Sequence, residues 1–319
     1  MKILVVGGTG HIGSYLVPRV VMSGHEVIVV ARRSEPQYTD PRLGWPAVEW
    51  INADRVEDEK SGAWGKRMAA VDVDVVMDLI AYSPDQNQIM MEAFAGRVSH
   101  FIHCGTVWAY GPTTRAPYEE WFTRRPNTDY GIKKAQIESD LLEQYHRNGF
   151  PATMIHPGHI SGRKWLPIDP QGSRDGVGVY EKLATGKEVF LPDYGNATIH
   201  HVHGDDVAQL FERAMDHRGA AIGESFSAVT KYALSLTECC RCVAGFFGKE
   251  PNLKYVPMAE MKQHVSAASF GIIHEHASHS PCASIAQGER LLGYNPRYTT
   301  EQIYYESIDY MLESGELKI

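Results

Sequence analysis

No apolar run in this sequence is long enough to span a bilayer, and no run of lysine and arginine stands out. The 39 acids outnumber the 31 bases, a formal net charge of −8, which makes nucleic acid and anionic membrane poor partners on bulk electrostatics. Cysteine is sparse, five residues in all. Three of them crowd Thr237-Glu238-Cys239-Cys240-Arg241-Cys242, which holds neither a CxxC pair nor a second pair at zinc spacing. The expectation is a helix with buried thiols and no metal. Neither a repeat of fixed period nor a low-complexity tract interrupts the chain. What remains is a soluble globular composition, 43% hydrophobic and 22% charged over 319 residues, enough for one large core or two unequal ones. A first strand beginning at Lys2 leaves no room for a leader and points to the cytoplasm.

The most informative stretch comes first. Ile3-Leu4-Val5-Val6 runs into glycines at Gly7, Gly10 and Gly13 and then into an apolar-periodic segment, which reads as strand, tight turn and helix. Without side chains in the way, an anion can approach the backbone of Gly7, Thr9, Gly10, His11, Ile12 and Gly13, where free N–H groups and the positive helix end attract it. The expected ligand is the pyrophosphate of a dinucleotide. The second strand, His25 to Val30, ends in Ala31-Arg32-Arg33. A carboxylate there would suit the ribose of NAD, whereas Arg32 and Arg33 suit a 2′-phosphate, so NADP is favoured over NAD. Asp54, just past a third strand at 48–51, can accept from the adenine amino group or cap a helix. Strand and helix patterns then alternate: an apolar strand at 71–80 ending in Leu79-Ile80-Ala81-Tyr82, a helix at 86–97, a strand at 100–104. Such alternation produces a mostly parallel, doubly wound α/β sheet.

In that architecture the chemistry lies at the carboxyl ends of the strands. Thr106 falls just beyond the fifth strand. Tyr130 and Lys134 open a helix four residues apart, on one face. A phenol that titrates near 10 shuttles protons at neutral pH only if nearby positive charge stabilises its anion. Lys134 is expected to supply such a charge, and the Thr106 hydroxyl to bind the oxygen whose proton Tyr130 exchanges.

With these residues in place, the chain resembles the extended short-chain dehydrogenase/reductase family, in the branch of NAD-dependent epimerases and dehydratases. The resemblance runs over nearly the whole chain. The Gly7–Gly13 loop matches the nucleotide fingerprint, Asp54 the adenine contact, Leu79-Ile80-Ala81 the cofactor segment after the fourth strand, and Thr106, Tyr130 and Lys134 the catalytic set. His156-Pro157-Gly158-His159 is similar to the segment that holds the nicotinamide, His203-Gly204-Asp205-Asp206-Val207-Ala208 to a His-Val-x-Asp-Val-Ala stretch, and Leu292-Gly293-Tyr294-Asn295-Pro296 to a closing Leu-Gly-Tyr-x-Pro motif. The family's arginine that grips a substrate diphosphate is here Ile199, followed by His200, and its usual asparagine is His159. Both departures weaken a nucleoside-diphosphate sugar. Arg163 and Lys164 could replace the lost anion contacts or stand as loop charges exposed to water. Tyr82, Trp108, His159, Arg163, Lys164, Trp165 and His200 are the candidate substrate residues.

The resemblance implies a Rossmann domain over residues 1–155 and a smaller mixed α/β, mainly substrate-binding region over 156–319, with about 200–215 returning to the first. It implies a homodimer formed through the helices near 86–97 and 130–146. The expected activity is an NAD(P)-dependent oxidoreductase moving hydride to or from a secondary alcohol or ketone of a small, sugar-like molecule, most simply as an epimerase or dehydratase. The alternatives are an NADPH-dependent ketone reductase on a non-nucleotide substrate and a non-catalytic NADP sensor.

Overall fold

A computed structural model describes residues 1–319. Its centre is a seven-stranded sheet in the order Ser225–Ala228, β6 (Ala152–Pro157), β5 (His100–Cys104), β4 (Val75–Asp78), β1 (Lys2–Val6), β2 (Glu26–Ala31) and β3 (Glu49–Asn52). Every pairing is parallel, with Val5 opposite Val29 on one side and Met77 on the other. The period of two in β1 explains its unbroken apolar sequence. Ile3 and Val5 enter one core with Leu16 of α1 (His11–Met22) and Leu210 and Phe211 of a later helix, Gly204–Asp216. Leu4 and Val6 enter the opposite core with Met90 and Phe94 of the helix Pro84–Phe94 and with Ile137 and Leu141 of the helix Asp129–Asn148. The sheet is thus covered on both faces.

Helix Gly204–Asp216 lies against α1, where Arg19 donates to Asp205 at 2.9 and 2.6 Å and to Glu212 at 3.1 Å. A third core, away from the sheet, gathers Ile168, Tyr180, Leu191, Tyr304 and the thiols of Cys239, Cys240 and Cys242 on one helix, Leu236–Phe246. All three cysteines are free and packed as small apolar groups. No helix is long and apolar enough to cross a membrane.

Several boundaries differ from the sequence reading. The strand expected over 71–80 is confined to Val75–Asp78; just before it, Asp74 also accepts the Lys2 N–H at 2.7 Å through its side chain. The helix expected from 86 begins at Pro84, since Ser83 caps it by accepting from the Gln86 N–H and proline suits its first turn.

One buried ion pair ties the carboxyl end of β4 to the neighbouring chain. Arg55, at the start of α2 (Arg55–Lys60), donates to both oxygens of Asp78 at 3.1 and 3.0 Å, to Glu59 at 2.7 Å and to the Gln86 carbonyl at 2.8 Å. Asp78 is fully buried and also accepts the Ile80 N–H. Removing one partner strands the other charge, so Arg55→Ala is expected to cost about 3–5 kcal/mol, and Arg55→Ala with Asp78→Asn distinctly less. Urea unfolding of the two variants checks this; equal losses would mean that the charge pair itself is not what matters.

Candidate active site

A trough crosses the carboxyl ends of the strands. It consists of two cavities, about 450 and 240 Å³, that share Gly7, Gly10, Ile80 and Tyr82. Gly7 takes φ +84°, and a methyl on Gly13 would meet the Gly8 carbonyl oxygen at 2.3 Å, so strand and helix approach as closely as they do only without side chains. Gly10 caps α1 with extended backbone and no side-chain bond, and no acid occupies the first helical turn. The leading N–H groups of α1 therefore face the trough without a carboxylate beside them, a cradle that fits a dinucleotide pyrophosphate. The larger cavity is lined by Thr9, Arg32, Arg33 and Asp54, and the smaller by His11, Ile12, Gly13, Leu79, Thr106, Tyr130, Lys134, Pro157 and Trp165.

At the inner end, the Thr128 hydroxyl caps α5 (Asp129–Asn148; α3 is Trp64–Ala69 and α4 Pro84–Phe94) by accepting from the Gly131 N–H at 3.1 Å. Tyr130 stands in the first turn and Lys134 one turn on. The Lys134 ammonium is buried and donates to the carbonyls of Ala81 at 2.7 Å and Cys104 at 2.6 Å, just past β4 and at the end of β5. It lies 5.0 Å from the centre of the Tyr82 ring. Burial lowers its pKa, against the pull of Cys104 and Asp78. Although 41% of Tyr130 is open to the trough, burial raises its phenol pKa above the ordinary value; the Cys104 thiol adds to this, and the Thr106 hydroxyl beside it works in the other direction. In the chain alone the ammonium is spent on two carbonyls, and desolvation wins.

Thr106 is buried and held from behind. Its hydroxyl accepts the Trp108 N–H at 3.3 Å, and its own N–H donates to His156 Nδ1 at 3.1 Å. His156 Nε2 meets the Glu138 carboxylate at 3.1 Å, and Nδ1 also lies 3.0 Å from the Thr106 carbonyl oxygen. Glu138 is also gripped by Arg124 at 2.7 Å and by the Ser225 hydroxyl. Burial alone would raise the Glu138 carboxyl, but His156 and Arg124 hold it well below the usual range. The sequence reading missed this brace. Its one legible signal is that Glu138 follows Lys134 by four residues, on the face that carries Tyr130.

Several candidates are engaged elsewhere. Pro157, Gly158 and Ile160 line the trough, whereas His156 backs Thr106 and His159 turns into a buried cluster, 4.9 Å from the His276 ring and 6.1 Å from Trp108. Trp108 itself stacks on His279 at 4.2 Å and is not a wall of the trough. His200 is a structural strap: Nδ1 accepts the Ala283 N–H at 3.1 Å, Nε2 donates to the Thr230 carbonyl at 2.8 Å, and burial lowers its pKa to about 4. Arg163 pairs with Glu313 and covers the Tyr310 ring, away from the trough. Ala81 offers its carbonyl to Lys134 and does not line either cavity. Asp54 caps α2, accepting from Val56 at 3.0 Å and Glu57 at 3.4 Å, while still walling the larger cavity 3.9 Å from Arg32. Tyr82 borders both cavities and is half exposed. Trp165 stacks on His11 at 5.5 Å; both ring nitrogens of His11 are buried and unpaired, and burial with nearby His203 lowers its pKa to about 3.

Residues 3–228 match the model of the NAD dependent epimerase/dehydratase family. A 2'-dehydrokanamycin reductase of Streptomyces kanamyceticus is 26% identical over 271 residues, 85% of this chain and 73% of the relative. A UDP-glucose 4-epimerase of Mycolicibacterium smegmatis is 25% identical over 280 residues, 81% of this chain and 86% of the relative. Among solved structures, the UDP-glucose 4-epimerase of Thermotoga maritima with UDP-glucose superposes with a TM-score of 0.72 at 21% identity, over 98% of this chain and 99% of that one.

The strap role of His200 has a direct test. His200→Ala leaves two buried backbone groups unpaired, so unfolding stability is expected to fall by about 1–3 kcal/mol or more while affinity for nicotinamide nucleotide holds. A variant of unchanged stability would return His200 to the substrate candidates.

Proposed function

The chain belongs to the NAD-dependent epimerase/dehydratase family, a family of nicotinamide-dependent oxidoreductases, and from that premise we propose that it is an NADP-linked reductase acting on a ketone of a small molecule that is not a nucleoside diphosphate sugar. The observation that carries the hydride-transfer reading is the convergence of the Thr106 hydroxyl, the Tyr130 phenol and the Lys134 ammonium on the smaller cavity, with the glycine loop of α1 in the same wall.

When bound, the nicotinamide supplies or accepts the hydride. The protein handles the proton. Thr106 and Tyr130 hold the substrate oxygen between two hydroxyls, and in the reductive direction the Tyr130 oxygen gives its proton to that oxygen as negative charge develops there. The reverse reaction needs the phenolate, which burial disfavours in the chain alone. Lys134 fixes where the phenol stands, through its carbonyl anchors.

The nucleotide-sugar reading, the first expectation from the resemblance, finds little support in the residues that would hold a diphosphate. Ile199 is fully buried, His200 is committed on both nitrogens and Arg163 to Glu313. The reductase among the relatives points the same way. NADP is favoured because Arg32 and Arg33 wall the ribose end of the trough, and Arg33 has no carboxylate partner there.

Two measurements test the proposal. The purified protein is expected to bind NADPH at least about tenfold more tightly than NADH, and Arg32→Ala with Arg33→Ala to erase the difference while leaving NADH affinity alone. Release of tightly held NAD on denaturation would instead favour a redox-neutral epimerase. Against a panel of keto sugars, Tyr130→Phe should lower kcat about 10²–10⁴-fold with NADPH affinity retained. Because the phenol pKa is raised, reduction by the natural enzyme should stay level between about pH 6 and about pH 9, while oxidation of the product alcohol climbs with pH. A reductive rate that collapses above neutrality would remove Tyr130 as the acid.

A further inference from the structure

The chain between β2 and the short helix Trp45–Ala47 is held at few points. At one end the Arg32 carbonyl accepts from the Asn52 amide at 3.4 Å, and farther on the Thr39 hydroxyl donates to the Ser14 carbonyl of α1 at 2.9 Å. Residues 33–38, between those points, make no hydrogen bond to the rest of the protein. Two of them, Arg33 and Gln37, nevertheless stand in the wall of the larger cavity. One side chain secures the segment. The Tyr38 ring meets His11 edge-on, with centres 4.8 Å apart, and meets Trp165 edge-on at 5.9 Å. Trp165 lies flat on His11, and both wall the smaller cavity. Trp165 is the fixed post of this group: Gly162 and Trp165 exchange backbone hydrogen bonds at 3.1 and 3.0 Å across a tight turn, and the Arg163 N–H donates to Glu306 at 3.2 Å. With Trp165 42% exposed and Tyr38 half-buried, the rings stand at the rim of the trough. His11 follows Gly10 directly, so the group sits beside the glycine loop, where the two cavities meet.

We propose that residues 33–38 form a strap across the dinucleotide trough, latched by the Tyr38 ring on His11 and Trp165, and that unlatching sets the rate at which the nucleotide enters and leaves. The inference rests on the dinucleotide part of the hydride-transfer reading and is independent of the substrate. A ligand filling both cavities lies with its middle at the glycine loop, and the three rings join a wall of one cavity to a wall of the other at that same place. Ring contacts of this kind are individually weak, and a backbone without hydrogen bonds loses none when it swings out. Opening is therefore a matter of separating Tyr38 from its two neighbours. The latch consists of contacts within the protein, so it forms without help from the nucleotide and obstructs entry as much as release. An ordinary contact between a ring and the bound nucleotide would slow release alone. For a reductase, which exchanges spent nucleotide at every turnover, the strap makes release a loop-opening step.

Stopped-flow fluorescence of NADPH on the full chain measures both rate constants, by direct mixing for entry and by a chase with excess NADP⁺ for release. Tyr38→Ala and Trp165→Ala are each expected to raise entry and release about tenfold, with Kd moved by less than about threefold. Tyr38→Phe and Trp165→Phe, which keep a ring, should stay near the natural protein. The double alanine variant should be no faster than either single one, since each breaks the same latch. In protein free of nucleotide, trypsin should cut after Arg33 about tenfold faster in Tyr38→Ala than in Tyr38→Phe. Unchanged rate constants in either alanine variant, release that rises in proportion to Kd, or equal tryptic cleavage of the two Tyr38 variants would each overturn the strap. The two readings fail separately. A chain that binds NADPH or NADH but gives one of those results loses only the strap, and one that binds neither loses the hydride-transfer reading itself.

Discussion

A single buried ammonium organises the inner end of this molecule. Charge that leaves water must find acceptors, and Lys134 finds two carbonyls, Ala81 just past β4 and Cys104 at the end of β5. Those carbonyls are free only because the parallel ladder stops there. α5 can therefore dock in one axial position and one rotation, the one that carries Lys134 to both. Tyr130, a turn earlier, and Thr106, two residues past Cys104, then share a cavity without either being adjusted independently. The geometry of the candidate proton donor is a consequence of where a charge can be hidden.

Behind that surface the same logic repeats. Arg55 and Asp78 link β4 to α2 and to the start of α4. Arg124, Glu138 and His156 link the loop before α5, its middle and the end of β6, and His156 returns the connection to Thr106. In both chains of contacts a carboxylate is buried against a guanidinium, an arrangement that is strongly destabilised when one member is lost. Side chains near the trough are held by polar anchors behind it, and the trough itself is lined by glycines and hydroxyls together with Arg32, Arg33, Ile80 and Trp165.

This division explains what was legible in the sequence. The glycine loop, the alternation of strands and helices, and the Tyr130–Lys134 spacing are local signals: three to six residues contain them, and neighbouring elements confirm them. The sheet and the convergence of Thr106, Tyr130 and Lys134 on one cavity followed from such signals. The histidines did not. Whether His156, His159 or His200 faces a ligand depends on partners tens of residues away, Glu138, His276, Thr230 and Ala283 among them. Arg163 was misjudged for the same reason, its partner Glu313 lying in the last helix, Thr300–Ser314. Spacing brings the Lys134 ammonium near the Tyr130 phenol, but it does not show the two carbonyls that hold that ammonium.

The two ends of the cleft therefore recognise ligands by different means. The outer end offers backbone N–H groups and the room that Gly7, Gly10 and Gly13 leave, with Arg32 and Arg33 in its wall. The inner end offers side chains, Thr106, Tyr130, Lys134 and Trp165. Side-chain recognition is selective because a group of the wrong charge leaves a buried partner unsatisfied. Ile199, where the resemblance would set an arginine, is fully buried and offers no charge to a ligand. The arrangement around Lys134, by contrast, is set by where the charge of that lysine can be satisfied.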